Sequence, residues 1–343
     1  PPRSTLFPYT TLFRSHYFLY FLILGCLFHM AFGQTLVKDI NSDTTSTFEE
    51  FEDPQFVYLT SKSLLFFVAD DGVHGKELWK TGGTPSTTAI VKDIKPFDDA
   101  NGNSSEPRYL TVFNGLLYFF ANDGKRNGLW KSDGTEAGTV CIKDLDFSAR
   151  TAEELIVAGG KLYFYHAGPT LELWSSDGTT NNTAKFMDNF VNIYKLVSMG
   201  NSFFFFGQAD GAEAGLWRSD GTVPGTFLIK PMSEIYDMKA IDSVLYFAAD
   251  EDGSTDIELW RSEGSTVTTR KIKDINTMGS SFPKELTVFG KMLFFSADDG
   301  VNGRELWRSK GEEETTVIVA DIYEGNHRRT QRVSLRGDAQ INP

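Results

Sequence analysis

All six tryptophans of the chain occupy the same place in a repeating unit, and this repeat constrains the fold more than any other feature. They follow one another at intervals of 43 to 51 residues: Trp79, Trp130, Trp174, Trp217, Trp260 and Trp307. A recurring period in this range is typical of propellers and solenoids. The fold of the whole chain can therefore be inferred from one unit.

Each unit holds four short segments rich in Val, Ile, Phe, Tyr and Leu, separated by turns that contain Gly, Asn, Asp or Ser. Such segments are typical of β-strands, and Asn-Gly and Asp-Gly favour tight hairpin turns. Four short antiparallel strands in roughly 45 residues are the size of one propeller blade. We therefore expect an all-β fold, a β-propeller of six visible four-stranded blades. Each tryptophan is expected on the third strand, packed between neighbouring blades with its indole N–H satisfied at the rim.

The third strand and the turn after it follow a recognisable pattern, as in Leu129-Trp-Lys-Ser-Asp-Gly-Thr135 and Leu216-Trp-Arg-Ser-Asp-Gly-Thr222. This pattern resembles the ELWxxDGT repeat family of bacterial secreted and surface proteins, some labelled hyalin-like, over about residues 35–325. The resemblance implies an exported, β-propeller-like protein with no known catalytic activity and no settled ligand. Only the glycine of the turn recurs in all six units, which favours a tight turn over a metal site in this loop.

The fourth-strand pattern occurs once more than the tryptophan does, as Leu36-Val-Lys-Asp-Ile40 before the first full unit. An orphan outer strand is expected in a propeller whose closing blade is split between the two ends of the chain. Two alternatives stay open, a truncated seven-bladed ring and a complete six-bladed ring with an extra edge strand. Residues 326–343 are basic and poor in large apolar side chains, so we interpret them as an unstructured or frame-shifted tail.

The N-terminal residues are interpreted as two segments that precede the propeller domain of residues 34–325. Residues 1–15 contain a stuttered Ser-Thr-Leu-Phe and Thr-Thr-Leu-Phe, which indicates adapter-like, non-native sequence. Residues 16–33 hold an apolar run that ends in small residues, as in a signal peptide. The prediction is a secreted or cell-surface protein without a transmembrane segment in its mature chain.

Charge and motifs limit the classes of function. The formal net charge is −13, and residues 34–325 alone carry −18, which argues against nucleic acid and anionic membranes as partners. Residues 34–325 contain two histidines, His74 and His166, which lie in different units. The sequence has no phosphate-binding glycine loop, HExxH motif or paired-cysteine zinc pattern. These observations lead us to expect that the chain is not an enzyme and has no catalytic residues.

Clustered carboxylates in the loop between the second and third strands are the one candidate metal site. They are most numerous in the first and sixth units, at Asp70, Asp71, Glu77, Asp298, Asp299 and Glu305. Carboxylate oxygens beside backbone carbonyls are ligands that calcium takes, so calcium is the one cofactor considered. The alternative is a hairpin loop whose aspartates bond their own backbone. Thermal melting with EDTA and then with excess calcium separates the two, and an unchanged Tm would exclude calcium.

The function expected from the sequence is a non-enzymatic interaction module that binds a protein or glycan through a loop-lined acidic face. Two alternatives are kept. One is an extracellular propeller enzyme acting on polysaccharide or peptide, which a polar pocket at the central channel with two or more convergent carboxylates would favour. The other is an architectural, calcium-stiffened surface repeat.

Overall fold

The computed structural model describes residues 36–41, 56–96, 103–145, 152–167 and 170–320. The chain divides into two compact units, residues 1–37 and 38–343, and the fold described below is that of the second. The segments predicted at 1–15, 16–33 and 326–343 lie outside the described residues. Within the described ranges, no helix is both long and apolar enough to cross a membrane.

The described residues form 23 strands, three single-turn 3-10 helices and no α-helix, which confirms the all-β prediction. The strands are β1 (Val57–Leu59), β2 (Leu64–Asp70), β3 (Lys76–Thr81), β4 (Ala89–Lys92), β5 (Arg108–Phe113), β6 (Leu116–Asn122), β7 (Asn127–Ser132), β8 (Val140–Asp144), β9 (Ala152–Ala158), β10 (Lys161–Ala167), β11 (Leu171–Ser176), β12 (Ala184–Met199), β13 (Ser202–Ala209), β14 (Gly215–Ser219), β15 (Phe227–Pro231), β16 (Glu234–Ile241), β17 (Val244–Asp250), β18 (Glu258–Ser262), β19 (Arg270–Lys273), β20 (Lys284–Phe289), β21 (Met292–Asp298), β22 (Arg304–Ser309) and β23 (Val317–Ala320). The 3-10 turns are Thr60–Lys62, Pro85–Thr87 and Glu313–Thr315.

The strands form antiparallel sheets in which sequence neighbours pair. Four sheets have four strands each: β1 to β4, β5 to β8, β16 to β19 and β20 to β23. We number these repeats 1, 2, 5 and 6. Repeat 3 consists of β9 to β11 with the first half of β12, and repeat 4 consists of the second half of β12 with β13 to β15. Each tryptophan lies on the third strand of its repeat, as predicted.

Repeats 3 and 4 share one strand, which the sequence did not predict. The fourth strand of repeat 3 and the first strand of repeat 4, expected as two strands, are a single strand of 16 residues, β12. Its first half pairs with β11 and its second half with β13. Asn189 adopts left-handed backbone between the halves, with φ 68°, and β12 contains no glycine or proline to end it. The chain therefore passes from one repeat to the next without a loop.

Hydrophobic clusters between consecutive repeats form the core. We call the side of a repeat that faces the following repeat its forward face and the opposite side its back face. In the first cluster, Phe66 and Leu78 on the forward face of repeat 1 pack with Phe119 and Trp130 on the back face of repeat 2. Four further clusters join repeats 2 to 6 in the same order. Each repeat thus covers the next, which is the stacking that a propeller requires.

The tryptophans lie on the back faces of their repeats, so the predicted packing between repeats is confirmed for repeats 2 to 6. The predicted satisfaction of the indole N–H holds for only three. The acceptors are Ala121 O for Trp130 (3.0 Å), Gly207 O for Trp217 (2.9 Å) and Glu172 Oε2 for Trp174 (3.0 Å). The other three indole nitrogens are buried without an acceptor among the described residues: those of Trp79, Trp260 and Trp307.

A pair of hydroxyl groups closes the turn after the third strand in every repeat. In repeat 2, Ser132 Oγ lies 2.8 Å from Thr139 Oγ1, and Thr139 donates to the carbonyl of Thr135 (2.7 Å). The turn contains Gly134, whose φ is 87°. The equivalent pairs are Thr81–Thr88, Ser176–Thr183, Ser219–Thr226, Ser262–Thr269 and Ser309–Thr316. This geometry confirms that the loop is a turn whose glycine needs left-handed backbone.

Candidate active site

The loops between second and third strands lie at the same end of the sheets as the connections between repeats. Asn103, in the connection after repeat 1, donates from Nδ2 to the carbonyl of Val73 in the β2–β3 loop (2.6 Å). In the same connection, Ser105 N donates to Lys76 O (3.1 Å). The first strands begin at this end too, so functional groups from three kinds of segment meet there.

The aspartates of the β2–β3 loop bond their own backbone. Asp70 Oδ1 accepts the N–H of Gly72 (2.8 Å), and Asp71 Oδ1 accepts those of Val73 (2.9 Å) and His74 (2.8 Å). Asp71 Oδ2 also lies 2.7 Å from His74 Nδ1. Partial burial opposes these bonds, but together they lower the pKa of Asp71, and the bond to Asp71 raises the pKa of His74.

The loop of repeat 6 repeats this arrangement. Asp298 Oδ1 accepts the N–H of Gly300 (2.8 Å). Asp299 accepts the N–H groups of Val301 (2.9 Å) and Asn302 (2.7 Å) and the side-chain amide of Asn302 (2.7 Å). Most of the expected calcium ligands thus accept hydrogen bonds from nearby donors. This is the arrangement expected for the alternative, a hairpin loop whose aspartates bond their own backbone.

The glutamate before Leu-Trp connects two repeats. Buried Glu77 accepts the N–H of Lys95 at Oε1 (3.2 Å) and the hydroxyl of Ser105 at Oε2 (2.6 Å). Glu258 of repeat 5 accepts the hydroxyl and the N–H of Ser281 (2.7 and 2.9 Å). Burial raises the pKa of Glu77 to about 7 and raises the pKa of Glu258. Glu305 of repeat 6 is buried as well. The two serines, which the sequence analysis missed, could have been found from the shared Ser-Ser-x-Pro of both connections.

Calcium binding stays a prediction. Among the described residues, no group of three or more His, Cys, Asp or Glu side chains is arranged so that it could hold a metal ion. The six carboxylates named for calcium are divided between two distant loops of the chain, and Glu77 is oriented toward Ser105 and Lys95.

A different set of side chains converges at the start of the first strands, where the strands bulge. The register with the second strand shifts between Arg108 and Thr111 in β5 and near Glu153 in β9. The bulge residues Tyr109 and Glu154 adopt left-handed backbone, with φ 55° and 54°. Because a bulge redirects neighbouring side chains, it brings residues of repeats 2 and 3 together.

The convergent groups are two carboxylates, two phenols and one guanidinium: Glu153, Glu154, Tyr109, Tyr165 and Arg108. Tyr165 donates its hydroxyl to Glu153 Oε2 at 2.9 Å. Glu154 Oε1 accepts the N–H of Lys195 in β12 (2.8 Å), and its Oε2 accepts that of Leu196. Glu154 therefore anchors the first strand of repeat 4 to that of repeat 3. Glu153 accepts from Tyr165 and is near enough to Arg108 for their charges to interact.

Burial sets the electrostatics of this cluster. It raises the pKa of Tyr109 to about 12, with the charges of Glu153 and Glu154 acting in the same direction. It also raises the pKa values of Tyr165 and Glu154 and lowers that of Arg108. The Nε and Nη2 groups of Arg108 are buried and have no hydrogen-bond partner among the described residues. A buried donor without an acceptor is costly, and oxygen atoms are the acceptors that a guanidinium binds best.

The sequence analysis did not identify this cluster. The only sequence signal is the presence of charged residues, Arg108 and the Glu153-Glu154 pair, at the start of strands that are otherwise apolar. The histidines that it did single out remain apart, since His74 pairs with Asp71 in repeat 1 and His166 lies in repeat 3. His166 Nδ1 is 3.7 Å from Glu172 Oε2.

Comparison with known proteins gives likeness of fold only. No family model matches the chain, and no curated protein matches it in sequence. A puromycin hydrolase matches with a TM-score of 0.50 and 12% identity, over 74% of this chain and 43% of the hydrolase. An oligogalacturonate lyase in complex with manganese matches with a TM-score of 0.50 and 14% identity, over 81% of this chain and 78% of the lyase. The β-propeller domain of the Trilobed protease from Pyrococcus furiosus matches with a TM-score of 0.45 and 16% identity, over 75% of this chain and 81% of that domain.

The four-stranded antiparallel sheets and this likeness define a fold of the β-propeller type. The chain spans less than half the length of the puromycin hydrolase. The lyase structure is a complex with manganese. Among the described residues of this chain, no group of side chains could hold a metal ion, so the proposed function includes no metal-dependent step.

The expectation of a non-enzymatic interaction module was wrong. Solved structures of similar fold include a puromycin hydrolase and an oligogalacturonate lyase. The absence of short catalytic motifs did not exclude an enzyme, because the fold can bring residues of different repeats together, as it does Arg108 and Glu153.

Proposed function

We propose that the chain is an enzyme that acts on an oligosaccharide, and that its active site is the cluster at the start of β5 and β9. The observation that carries this proposal is the guanidinium of Arg108, which has unpaired buried N–H groups beside the Glu153–Tyr165 pair. An oxygen-rich substrate group supplies the missing acceptors, and binding is favoured because it removes the penalty of the unpaired donors.

Each residue of the cluster has a distinct role in this proposal. Arg108 binds and orients a carboxylate or hydroxyl of the substrate. Glu153 takes a proton from the substrate or gives one to it, and Tyr165, whose hydroxyl donates to Glu153 Oε2, orients that carboxylate. Glu154 is a positioning residue, because both of its oxygens already accept backbone N–H groups of β12.

The likeness to an oligogalacturonate lyase supports a saccharide as the first candidate substrate. The oligogalacturonate lyase is matched over 78% of its length, whereas the puromycin hydrolase is matched over 43%. A peptide is the second candidate substrate, because the puromycin hydrolase also matches this chain. In that case the chain is the propeller portion of a larger peptidase, and the nucleophile lies outside the residues described here.

Two further elements belong to this proposal. The six repeats are consecutive blades of one propeller ring, which the five interfaces between consecutive repeats support. The protein acts outside the cell, which the apolar run in residues 16–33 supports.

The test is product release from a panel of neutral and uronate-containing oligosaccharides. Reducing ends report cleavage, and ultraviolet absorbance of a new C=C bond separates elimination from hydrolysis. We expect Glu153→Gln to lower kcat by about 100-fold or more, since general acid–base catalysis contributes that much. Arg108→Ala should raise KM. Glu136→Gln, a change in an exposed turn of repeat 2, is the control and should behave as wild type.

Two results would overturn the proposal. One is cleavage that is unchanged in Glu153→Gln at an unchanged Tm. The other is the absence of cleavage for every saccharide together with cleavage of peptides by a longer form of the protein, which supports the second candidate.

A further inference from the structure

The forward face of repeat 6 has the composition of an interface between repeats, yet it is open to solvent. In repeat 2, the forward-face residues Phe113, Leu129 and Ile142 are 5%, 0% and 4% exposed and pack against repeat 3. Strand register identifies their counterparts in repeat 6. These counterparts are Phe289, Leu306 and Val319, at 59%, 38% and 44% exposure.

Arg308, a cation on this face, has no hydrogen-bond acceptor among the residues that the structure describes. The third strand of repeat 1 carries Lys80, whose Nζ donates to the carbonyl of Gly134 in the turn of repeat 2 (2.6 Å). In repeat 5, Arg261 donates in the same way to Gly311 O of repeat 6 (3.1 Å). Arg308 holds this position in repeat 6, where it is exposed. The face is thus complementary to the glycine turn of one more repeat.

The contacts of the glycine turns distinguish repeat 1 from the other five repeats. Each turn from repeat 2 onward rests on a second-strand aromatic ring of the preceding repeat, as Gly134 does on Phe66 and Gly264 on Phe204. The equivalent turn of repeat 1 contains Gly83, and no atom lies within 4 Å of the position that a Cβ there would take. Repeat 6 offers Phe294 as such a ring, and it is only partly buried.

The short segment Lys38–Asn41 occupies the place of a fourth strand that precedes repeat 1. Lys38 Nζ donates to Thr88 O (2.8 Å) and lies over the ring of Trp79, and Ile40 packs on the same back face. Lysines of true fourth strands bind the next repeat in this way. Lys92 donates to Thr139 O (3.0 Å), and Lys273 donates to Thr316 O (3.1 Å).

Repeat 6 does not itself supply this strand. Its fourth strand, β23, has Ala320 at the position of these lysines, so it carries no ammonium group for Thr88. If β23 lay directly before repeat 1, two fourth strands would compete for the place that Lys38 already fills. The described residues therefore supply no first three strands for a repeat whose fourth strand would be the segment Lys38–Asn41.

We propose that the forward face of repeat 6 and the back face of repeat 1 are two surfaces that bind the first three strands of a seventh repeat of the same type. The same polypeptide supplies these strands, and Lys38–Asn41 is part of the fourth strand of that repeat. The incoming unit presents an aromatic second strand, a Leu-Trp third strand and a glycine turn. Its apolar back face covers Phe289, Leu306 and Val319, its turn carbonyl accepts from Arg308, and its own second-strand ring seats Gly83. This inference does not depend on the proposed enzymatic function.

The test adds the missing unit to the full chain. A second copy of residues 274–316, which contain the preceding connection, β20 to β22 and the glycine turn after β22, is inserted after Ala320. We expect Tm to rise by about 5 °C or more, binding of a hydrophobic dye to fall, and amide exchange at Lys38–Asn41 to slow. The control insert has the copies of Leu293, Phe295 and Trp307 replaced by Ser, and it should give none of these effects. Lys38→Ala in the chain with the active insert should reduce the gain in Tm.

Three outcomes would overturn the proposal. Equal Tm and equal exchange for the active and control inserts would show that the two surfaces do not accept a repeat. Concentration-dependent dimers of the original chain that bury Phe289 would make a second copy the occupant. An increase in dye binding after deletion of residues 326–343 would make the tail the occupant.

Discussion

The indole nitrogens show how residues that are equivalent in sequence differ in their contacts. Trp217 donates to Gly207 O, whereas the N–H of Trp260 is buried without an acceptor among the described residues. Both rings are packed between repeats in the same orientation toward the core. The repeat pattern explains why a large aromatic side chain is needed at this position, while the local carbonyl geometry decides whether its polar atom is satisfied.

This difference predicts unequal effects of the same substitution. Trp217→Phe removes the hydrogen bond to Gly207 O, whereas Trp260→Phe removes a donor that has no acceptor among the described residues. We expect Trp217→Phe to lower the free energy of unfolding by about 1 kcal/mol more than Trp260→Phe does. Urea denaturation of the two variants measures this difference. Equal losses would contradict the assignment of these hydrogen bonds.

The buried Glu77 predicts a specific pH dependence of stability. Burial raises its pKa from 4.5 to about 7 in the folded chain. Between these values the unfolded chain loses the proton that the folded chain keeps, so stability present below pH 4.5 is lost as the pH rises to about 7. Glu77→Gln removes this loss, and its Tm should fall less than that of wild type over the same range. The matched control is Glu314→Gln at an exposed position, which should follow wild type.

At the scale of elements, glycine replaces the motif glutamate where the backbones of the third and fourth strands lie close together. In repeats 2 and 4 this position is Gly128 and Gly215, and a Cβ at either would overlap the carbonyl oxygen of Lys143 or Lys230. The departures from the repeat pattern that the sequence shows are thus sites of close backbone contact.

Gly128→Ala should therefore be strongly destabilising. The overlap is with backbone of the paired strand, which cannot move without breaking the ladder, so we expect a loss of roughly 3 kcal/mol or more. Gly279→Ala is the matched control, because a Cβ there meets no atom within 4 Å. Thermal or urea unfolding of both variants tests this. A near-neutral Gly128→Ala would mean that β7 and β8 are spaced more widely than described.

The strands themselves were predictable, but their irregularities were not. Turn glycines and strand-like composition predicted four strands in each unit, since hairpin turns and strand composition are local signals. The fused strand β12 and the bulges at Tyr109 and Glu154 depend on packing against neighbouring repeats. The candidate active site depends on those bulges, which explains why it escaped the sequence analysis.

At the scale of the whole molecule, stability comes from interfaces between repeats, because each repeat contacts mainly its neighbours. Phe119→Ala removes a fully buried ring between repeats 1 and 2, and we expect a loss of roughly 3–5 kcal/mol. Phe289→Ala removes an exposed ring from the open face of repeat 6 and should change stability by no more than about 0.5 kcal/mol. Denaturant unfolding compares them, and a large loss for Phe289→Ala would show that this face is covered.

The sequence by itself determined the all-β class, the six repeats, the strand order and the structural place of each tryptophan, because these follow from periodicity and from turn residues close together in the chain. Only the tertiary structure decided what the repeats bring together. Arg108 and Glu153 are separated by a whole repeat in sequence, and stacking of repeats 2 and 3 places them in one cluster. The vacant side of repeat 6 likewise became visible only from the exposure of residues whose equivalents are buried elsewhere. Burial and convergence are properties of the assembled sheets, and a local pattern does not encode them.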